Sequence, residues 1–247
     1  MIPLRNAAGF TNHGPDDPLA KLGVIDQSRY SYWFTDFHRS EGITASTAND
    51  WTIAATGAAA VALQDEDGGV FKLTNAAANS DNIFVQKVGE SFKWEATKKL
   101  AILGRFKVSD ATLSTFVFGL QITDTTPMDV TDGIFFYKAS ASTTLTARVE
   151  KNNTAATTDV LTMADNTYVE VAIVYAGKPV PDNNGTATYP FKVFYKDSGG
   201  IWRQTVTIDA TTEAPDDEEL TISFGVQNGE GVAKTMSIDF FLVAKER

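Results

Sequence analysis

The 247-residue sequence contains no cysteine. Disulfide bonds and thiolate metal ligands are therefore excluded, and the stability of the fold must come from packing. Histidine is nearly as scarce, because only His13 and His38 are present and neither lies in a metal-ligand spacing. We therefore expect no metal ion and no cofactor.

Long apolar runs and an excess of basic residues are also missing. No segment approaches the ~20 apolar residues of a membrane span, and the N-terminus lacks the apolar core of a secretory signal. The 21 Lys and Arg residues are outnumbered by 31 Asp and Glu residues, which gives a net charge of −10. Such a balance argues against nucleic acid as a partner, and the lack of a long apolar run argues against a membrane as a partner.

Hydrophobic residues make up 43% of the chain and include 16 phenylalanines, enough to build a sizeable core. They recur with the period of two that is typical of half-buried strands. In the final segment, Ile222, Phe224 and Val226 alternate with small polar residues. After Asn228-Gly229 the alternation resumes and places Met236, Ile238, Phe240 and Leu242 on one face, so we predict a closing antiparallel hairpin with a buried face.

Similar alternation elsewhere predicts about twelve to fourteen short strands separated by turn signals, with no helix. We see no break in composition and no repeat. The sequence therefore predicts an all-β fold, a two-sheet antiparallel jelly-roll sandwich over residues 30–247. Residues 1–29 show no period and are predicted to form an irregular N-terminal arm.

The arm carries scattered apolar residues without a face of their own. Two interpretations remain open: a coil that lies over the domain, or a segment that docks on a neighbouring subunit. For the second, the partner-binding candidates are Leu4, Phe10, Leu19 and Leu22.

The densest aromatic run follows the arm, from Tyr30 to Phe37. Alternation places Tyr30, Tyr32 and Phe34 on one side and Trp33 on the other. Aromatics at such a position are more often core anchors, but exposed ones form sugar-stacking platforms or interface contacts.

Signatures of catalysis are missing. Glycoside hydrolysis needs two carboxylates about 5–9 Å apart, whereas Glu150, Glu170 and Asp239 are single acids on different predicted strands. The Glu-x-Asp-x-x-Glu spacing of sandwich glucanases is absent, and no Gly-x-Ser-x-Gly elbow occurs. We expect no catalytic residues and a protein that is not an enzyme.

The succession FKWEATKKLAILGRFKV, FVFGLQITD, GIFFYKAS, LTARVEKN, YVEVAIVY and MSIDFFLVAKE resembles the concanavalin A-like jelly-roll domains of tailed-phage virion proteins, most of all capsid decoration or cement proteins. This resemblance implies a viral structural protein that binds the major capsid protein on the capsid exterior, commonly as a homotrimer. It implies a virion location after synthesis in the host cytoplasm, and it carries over no catalytic residue.

The alternative is a lectin-like, carbohydrate-binding module of a virion or cell-surface protein, because the same fold hosts lectins. Such a module needs exposed aromatics and polar groups that converge in one groove, with or without calcium. The tryptophan candidates are Trp33, Trp51, Trp94 and Trp202, each within or beside a predicted strand. A surface glycan therefore stays open as a partner.

Overall fold

The computed structural model describes residues 17–22, 28–39, 41–43, 50–66, 68–182 and 184–247. Within these ranges the chain forms eighteen β-strands and one short 3-10 helix, Pro18–Lys21. In chain order the strands are β1 (Tyr30–Thr35), β2 (Trp51–Ala55), β3 (Ala60–Gln64), β4 (Val70–Thr74), β5 (Asn82–Lys87), β6 (Phe92–Lys93), β7 (Lys99–Val108), β8 (Ser114–Gln121), β9 (Gly133–Lys138), β10 (Thr144–Lys151), β11 (Thr154–Thr162), β12 (Val169–Ala176), β13 (Val180–Pro181), β14 (Ala187–Lys196), β15 (Trp202–Gln204), β16 (Ile208–Ala210), β17 (Glu219–Asn228) and β18 (Thr235–Glu246).

The strands form two antiparallel sheets. In the ten-stranded sheet the order is β13, β14, β12, β7, β18, β4 and β3, with β1 also beside β18 and with β15 and β16 beside β14. In the eight-stranded sheet the order is β11, β10, β9, β8, β17, β5 and β2, with β6 beside β17. The predicted all-β, two-sheet antiparallel sandwich is confirmed.

Aromatic side chains from both sheets meet in the core between them. Phe118 on β8 stacks on Phe241 of β18 with ring centroids 4.0 Å apart, and Phe106 on β7 lies 4.7 Å from Phe118. Phe224 on β17 contacts the edge of Phe241 at 6.1 Å. All four rings are fully buried, so they join the sheets and hold their outer faces in fixed positions.

The predicted closing hairpin is wrong. Strand β17 lies in the eight-stranded sheet and β18 in the ten-stranded sheet, so the two do not pair. The backbone N–H of Gly229 donates to the carbonyl of Leu113 at 2.8 Å, and that of Asn228 donates to the carbonyl of Asp81 at 2.9 Å. These bonds hold the chain against other loops as it crosses between the sheets. Alternation fixes which face of a strand is buried, but it does not fix the partner strand.

The predicted inward positions of Phe240 and Leu242 are also wrong. The pairing of β18 with β7 shifts register between Ile238 and Phe240, which leaves Asp239 as a β-bulge. Ile238 is buried in the core as predicted, but beyond the bulge the buried position passes to Phe241. Phe240 and Leu242 therefore lie on the outer face of the ten-stranded sheet, where they are half-buried.

The 3-10 helix lies on this same outer face. Leu22 is only 1% exposed, and its carbonyl accepts hydrogen bonds from the Tyr30 hydroxyl at 2.8 Å and from Lys99 Nζ at 3.0 Å. The helix begins at an Asp17 cap, whose Oδ1 accepts from the N–H of Leu19 at 2.8 Å. Part of the predicted arm thus packs on the sandwich, while the domain division between residues 29 and 30 stays a prediction.

Candidate binding surfaces

The predicted partner-binding residues divide into two groups. Leu4 and Phe10 lie outside the described residues. Leu19 and Leu22 pack against the outer face of the chain's own ten-stranded sheet, and the Leu22 side chain is buried there. A partner-binding role for these four residues stays a prediction.

The exposed aromatic side chains of the described residues gather on β1. Tyr32 is 42% exposed and Phe34 is 50% exposed, whereas the other exposed large hydrophobic residues in the described ranges are aliphatic and scattered: Leu63, Val88, Val180, Ile201, Val206 and Val232. Phe34 lies opposite Leu242 on β18, next to Phe240. We call Tyr32, Phe34, Phe240 and Leu242 the aromatic edge surface.

The alternation of β1 explains why these rings face outwards. Trp33 points into the sandwich, where its ring meets those of Trp51 at 5.6 Å and Phe241 at 5.7 Å. Its neighbours Tyr32 and Phe34 must then point to the opposite face. The predicted alternation is confirmed. The core-anchor interpretation holds for Trp33 but not for Tyr32 or Phe34, and Tyr30 is buried beside Leu22 on the outer face of the sheet.

Among the described strands, β1 lies at an edge of the ten-stranded sheet. Among the described residues it pairs only with β18, so its second backbone edge meets no strand of that part of the chain. Soluble proteins guard such edges with charges, proline or a bulge. The β1 sequence, Tyr-Ser-Tyr-Trp-Phe-Thr, contains no charge and no proline.

Opposite charges mark the two ends of β1. Arg29 precedes it with a side chain that is 67% exposed and lies 3.3 Å from Glu246. Asp36 follows it with a side chain that is 44% exposed and lies 3.1 Å from His38 Nε2. The edge is therefore basic at its start, apolar in the middle and acidic at its end.

A second surface is a groove of about 560 Å³ on the outer face of β9, β10 and β11. It is lined by one aromatic ring, hydroxyl groups, one cation and one carboxylate, from Tyr137, Ala139, Ser142, Thr144, Thr146, Arg148, Thr157 and Asp159. The sequence signal for it is the outward alternation of Thr144, Thr146 and Arg148 on β10, which we did not interpret as a site.

Arg148 and Glu150 set the charge beside this groove. The Arg148 guanidinium lies 5.6 Å from the centroid of the Tyr137 ring and 6.0 Å from that of Phe135. Its Nε is 3.1 Å from Glu150 Oε2, an ion-pair distance without hydrogen-bond geometry. Burial of Glu150 raises the pKa of its carboxyl, and the nearby Arg148 partly offsets this increase.

Part of the remaining outer face of the eight-stranded sheet, on β5, β8 and β9, is covered by the chain's own loop 122–132. Beneath this loop Gln86 Nε2 donates to Ser223 Oγ at 3.3 Å, and that hydroxyl donates to Gln121 Oε1 at 2.6 Å. The amide of Gln121 donates to the carbonyl of Pro127 in the loop at 3.0 Å. These polar groups are satisfied within the fold, so the loop closes this part of the sheet face.

The acidic residues that the sequence singled out are not brought together. Glu150 lies on the eight-stranded sheet, whereas Glu170 and Asp239 lie on the ten-stranded sheet. Glu170 pairs with Lys196 at 3.0 Å, and Asp239 pairs with Arg105. Within the described ranges no three His, Asp or Glu side chains are placed to hold a metal ion. In the same ranges, no helix is long and apolar enough to cross a membrane.

Comparison with known proteins finds structural neighbours but no match in sequence. No protein-family model matches the chain, and no curated protein does. A protein of unknown function from Shewanella oneidensis MR-1, SO2946, is similar over 95% of both chains with a TM-score of 0.60 and 16% identity. Peanut lectin is similar over 87% of this chain and 97% of its own, with a TM-score of 0.55 and 12% identity.

An endo-1,3-beta-glucanase from Streptomyces sioyaensis is similar over 90% of this chain and 99% of its own, with a TM-score of 0.55 and 14% identity. The fold is a jelly-roll sandwich. At these identities the likeness shows the fold alone, and lectins and glucanases share the jelly roll with different functions.

Proposed function

We propose that this chain is a capsid decoration protein, which binds the major capsid protein on the outside of a tailed-phage head and stabilises the assembled shell. The aromatic edge surface carries the proposal. Exposed aromatic rings on an uncharged edge strand are typical of surfaces that contact other proteins.

The rest of the molecule supports a structural role. The core is closed by aromatic packing between the sheets, and the strand acids among the described residues are paired or separated rather than gathered in one cleft. A protein that binds only the assembled shell stabilises it by its binding free energy, repeated at every copy. Rigid sheets suit this role because little conformational entropy is lost on binding.

Replacing Tyr32 and Phe34 together with lysine is expected to weaken binding to capsids by about 100-fold, because buried aromatics are the usual energetic centre of an interface. The measurement is co-sedimentation of the full chain with capsids assembled from the major capsid protein of the same phage. We expect the unchanged chain to bind in a fixed ratio and to raise the temperature at which the capsids fall apart.

Val180→Lys is the matched control, since Val180 is 50% exposed on β13 at the opposite edge of the same sheet. This variant should bind capsids normally. Absence of the unchanged chain from the capsid pellet at every concentration tested would contradict the proposed function.

A second candidate function, carbohydrate binding, is supported by the groove on β9–β11. Tyr137 offers a ring face for stacking on a sugar, and the hydroxyls of Thr144 and Thr146 with the Arg148 guanidinium offer hydrogen bonds to sugar hydroxyls. Two of the structural neighbours are named as a lectin and a glucanase, which is consistent with this candidate.

Tyr137→Ala is expected to weaken any glycan bound in the groove by at least about tenfold, through loss of the stacking ring. A glycan array probed with the full chain, with and without calcium, identifies the glycan, and titration of that glycan measures the change. We expect binding to be independent of calcium. Val206→Ala, at a 72% exposed position outside the groove lining, serves as the control. An array without signal removes this candidate and leaves the capsid proposal untouched.

A further inference from the structure

We propose that a pocket at the seam between the two sheets binds a neutral sugar without the help of a metal ion. The seam pocket lies where β11, at the edge of the eight-stranded sheet, contacts β14 and β16 of the ten-stranded sheet. Its volume is about 460 Å³, a size typical of small-ligand sites. The side chains that matter for binding are those of Lys151, Asn152, Tyr189, Thr211, Thr212 and Asp216.

Tyr189 supplies a fixed aromatic ring to this pocket. It shares the inward face of β14 with Phe191 and Val193, but near the start of the strand its side chain is only partly buried. The ring of Trp94 packs edge-on against it, with centroids 4.8 Å apart. Because Trp94 is itself buried in the core, it holds the Tyr189 ring in place. A ring held in this way offers a face on which a sugar can stack.

Charge pairs fix a second wall of the pocket. Lys151, in the turn between β10 and β11, contacts Asp216 through Nζ and lies 3.3 Å from Asp217 Oδ2. The same Asp217 oxygen accepts a hydrogen bond from Asn152 Nδ2 at 3.2 Å. The Lys151 ammonium group thus bridges two adjacent carboxylates, as a divalent cation does in calcium sites. Since lysine supplies this charge, the wall needs no metal ion.

The charge balance selects a neutral ligand. Asp216, with Asp217 and Glu213 beside it, outweighs Lys151, the one cation of the described lining, so an anionic sugar is repelled. A cationic ligand would have to compete for carboxylates that are already engaged. Lys151 holds two of them, and Glu213 Oε2 accepts from the N–H and the hydroxyl of Thr211 at 2.7 and 3.1 Å. Sugar hydroxyls can donate to the lone pairs that remain on these oxygens.

The seam pocket is separate from both surfaces described above. The aromatic edge surface lies on the outer face of the ten-stranded sheet, whereas Tyr189 packs on the core side of that sheet. The groove on β9–β11 shares no lining residue with the seam pocket. A sugar in the seam pocket therefore leaves Tyr32 and Phe34 free for the capsid, and this inference goes beyond the proposed function.

The test is an array of neutral, sialylated and sulfated glycans probed with the full chain in EDTA, followed by calorimetric titration of the strongest binder. We expect a neutral glycan to bind in EDTA. Thr212→Trp should raise its dissociation constant by at least about 100-fold, because the larger ring fills the pocket. Thr212 is exposed, so this change leaves the core intact. Thr162→Trp, at an exposed position at the other end of β11, is the matched control and should bind normally.

Tyr189→Ala then tests the stacking ring. We expect it to raise the dissociation constant by about tenfold, with chemical denaturation of the same variant confirming that it is folded. An array without signal, binding that requires calcium, or a preference for anionic glycans overturns the inference. So does binding that survives Thr212→Trp but is lost in Tyr137→Ala, which assigns the glycan to the groove. Failure of the chain to sediment with capsids removes the decoration function and leaves this inference standing.

Discussion

Replacing Phe241 with alanine is expected to lower the free energy of unfolding by about 3–5 kcal/mol, as truncation of a fully buried aromatic ring does in packed cores. Phe241 is 0% exposed and stacks on Phe118 with centroids 4.0 Å apart. Its ring also meets Trp33 and Phe224, so alanine leaves a cavity lined from both sheets. Chemical denaturation of the purified variant measures the change.

The adjacent residue provides the matched control. Phe240 lies on the other side of the β-bulge, half-buried on the outer face, and its replacement with alanine should cost only about 1 kcal/mol. The ratio of the two effects tests the bulge directly. A larger loss for Phe240→Ala than for Phe241→Ala would contradict the register and restore the uninterrupted alternation that the sequence predicts.

Lys138 is expected to make the free energy of unfolding rise with pH above about 8. Its side chain is fully buried at the end of β9, where Nζ donates to the carbonyls of Ala111 at 2.8 Å and Ser142 at 3.1 Å. Burial lowers the pKa of the amine to about 8, although Asp110 and Asp165 oppose this shift. The nearby Lys234 lowers it further.

The direction of the effect follows from proton binding. Between about pH 8 and the ordinary lysine value of 10.5, the unfolded chain keeps a proton that the folded chain has lost. The folded state therefore gains stability as the pH rises through this interval, by at most about 3 kcal/mol. Below pH 8 both states are protonated and the contribution is flat.

Lys138→Met isolates this contribution because it keeps a side chain of similar length without the amine. Denaturant unfolding of both proteins between pH 7 and 10 should give curves that diverge, with the unchanged protein gaining stability relative to the variant. The pH is kept below 10 so that ionisation of the buried Tyr30 and Tyr175 hydroxyls, whose pKa values are raised by burial, does not contribute. Parallel curves would show that the Lys138 amine stays charged in the folded protein.

Much of the sandwich could be predicted from alternation alone. The buried faces of β7, β8 and β17 follow from Phe106, Phe118 and Phe224 in an apolar-polar pattern, and the structure places these residues in the core. The same pattern fails at two kinds of position. The pattern does not predict which strands pair, as β17 and β18 show. It also does not predict an inserted residue such as Asp239, after which every side chain changes face.

Only part of the candidate surfaces could be predicted from the sequence. The aromatic run of β1 was evident in the sequence. Its exposure depends on the pairing of β1 with β18, which only the tertiary structure shows. The groove needs three strands in the order β9, β10 and β11, and its Tyr137 and Asp159 are 22 positions apart. Lys138 occupies an inward position that alternation predicts to be apolar, and only the surrounding carbonyls explain it.

The most direct test of the account is a cryo-electron microscopy reconstruction of capsids saturated with the full chain. The account predicts a two-sheet density on the outer surface of the shell, with Tyr32 and Phe34 of β1 in contact with the major capsid protein. Capsids that stay bare at saturating concentration would contradict the decoration function, and bound copies with β1 facing solvent would contradict the role of the aromatic edge surface.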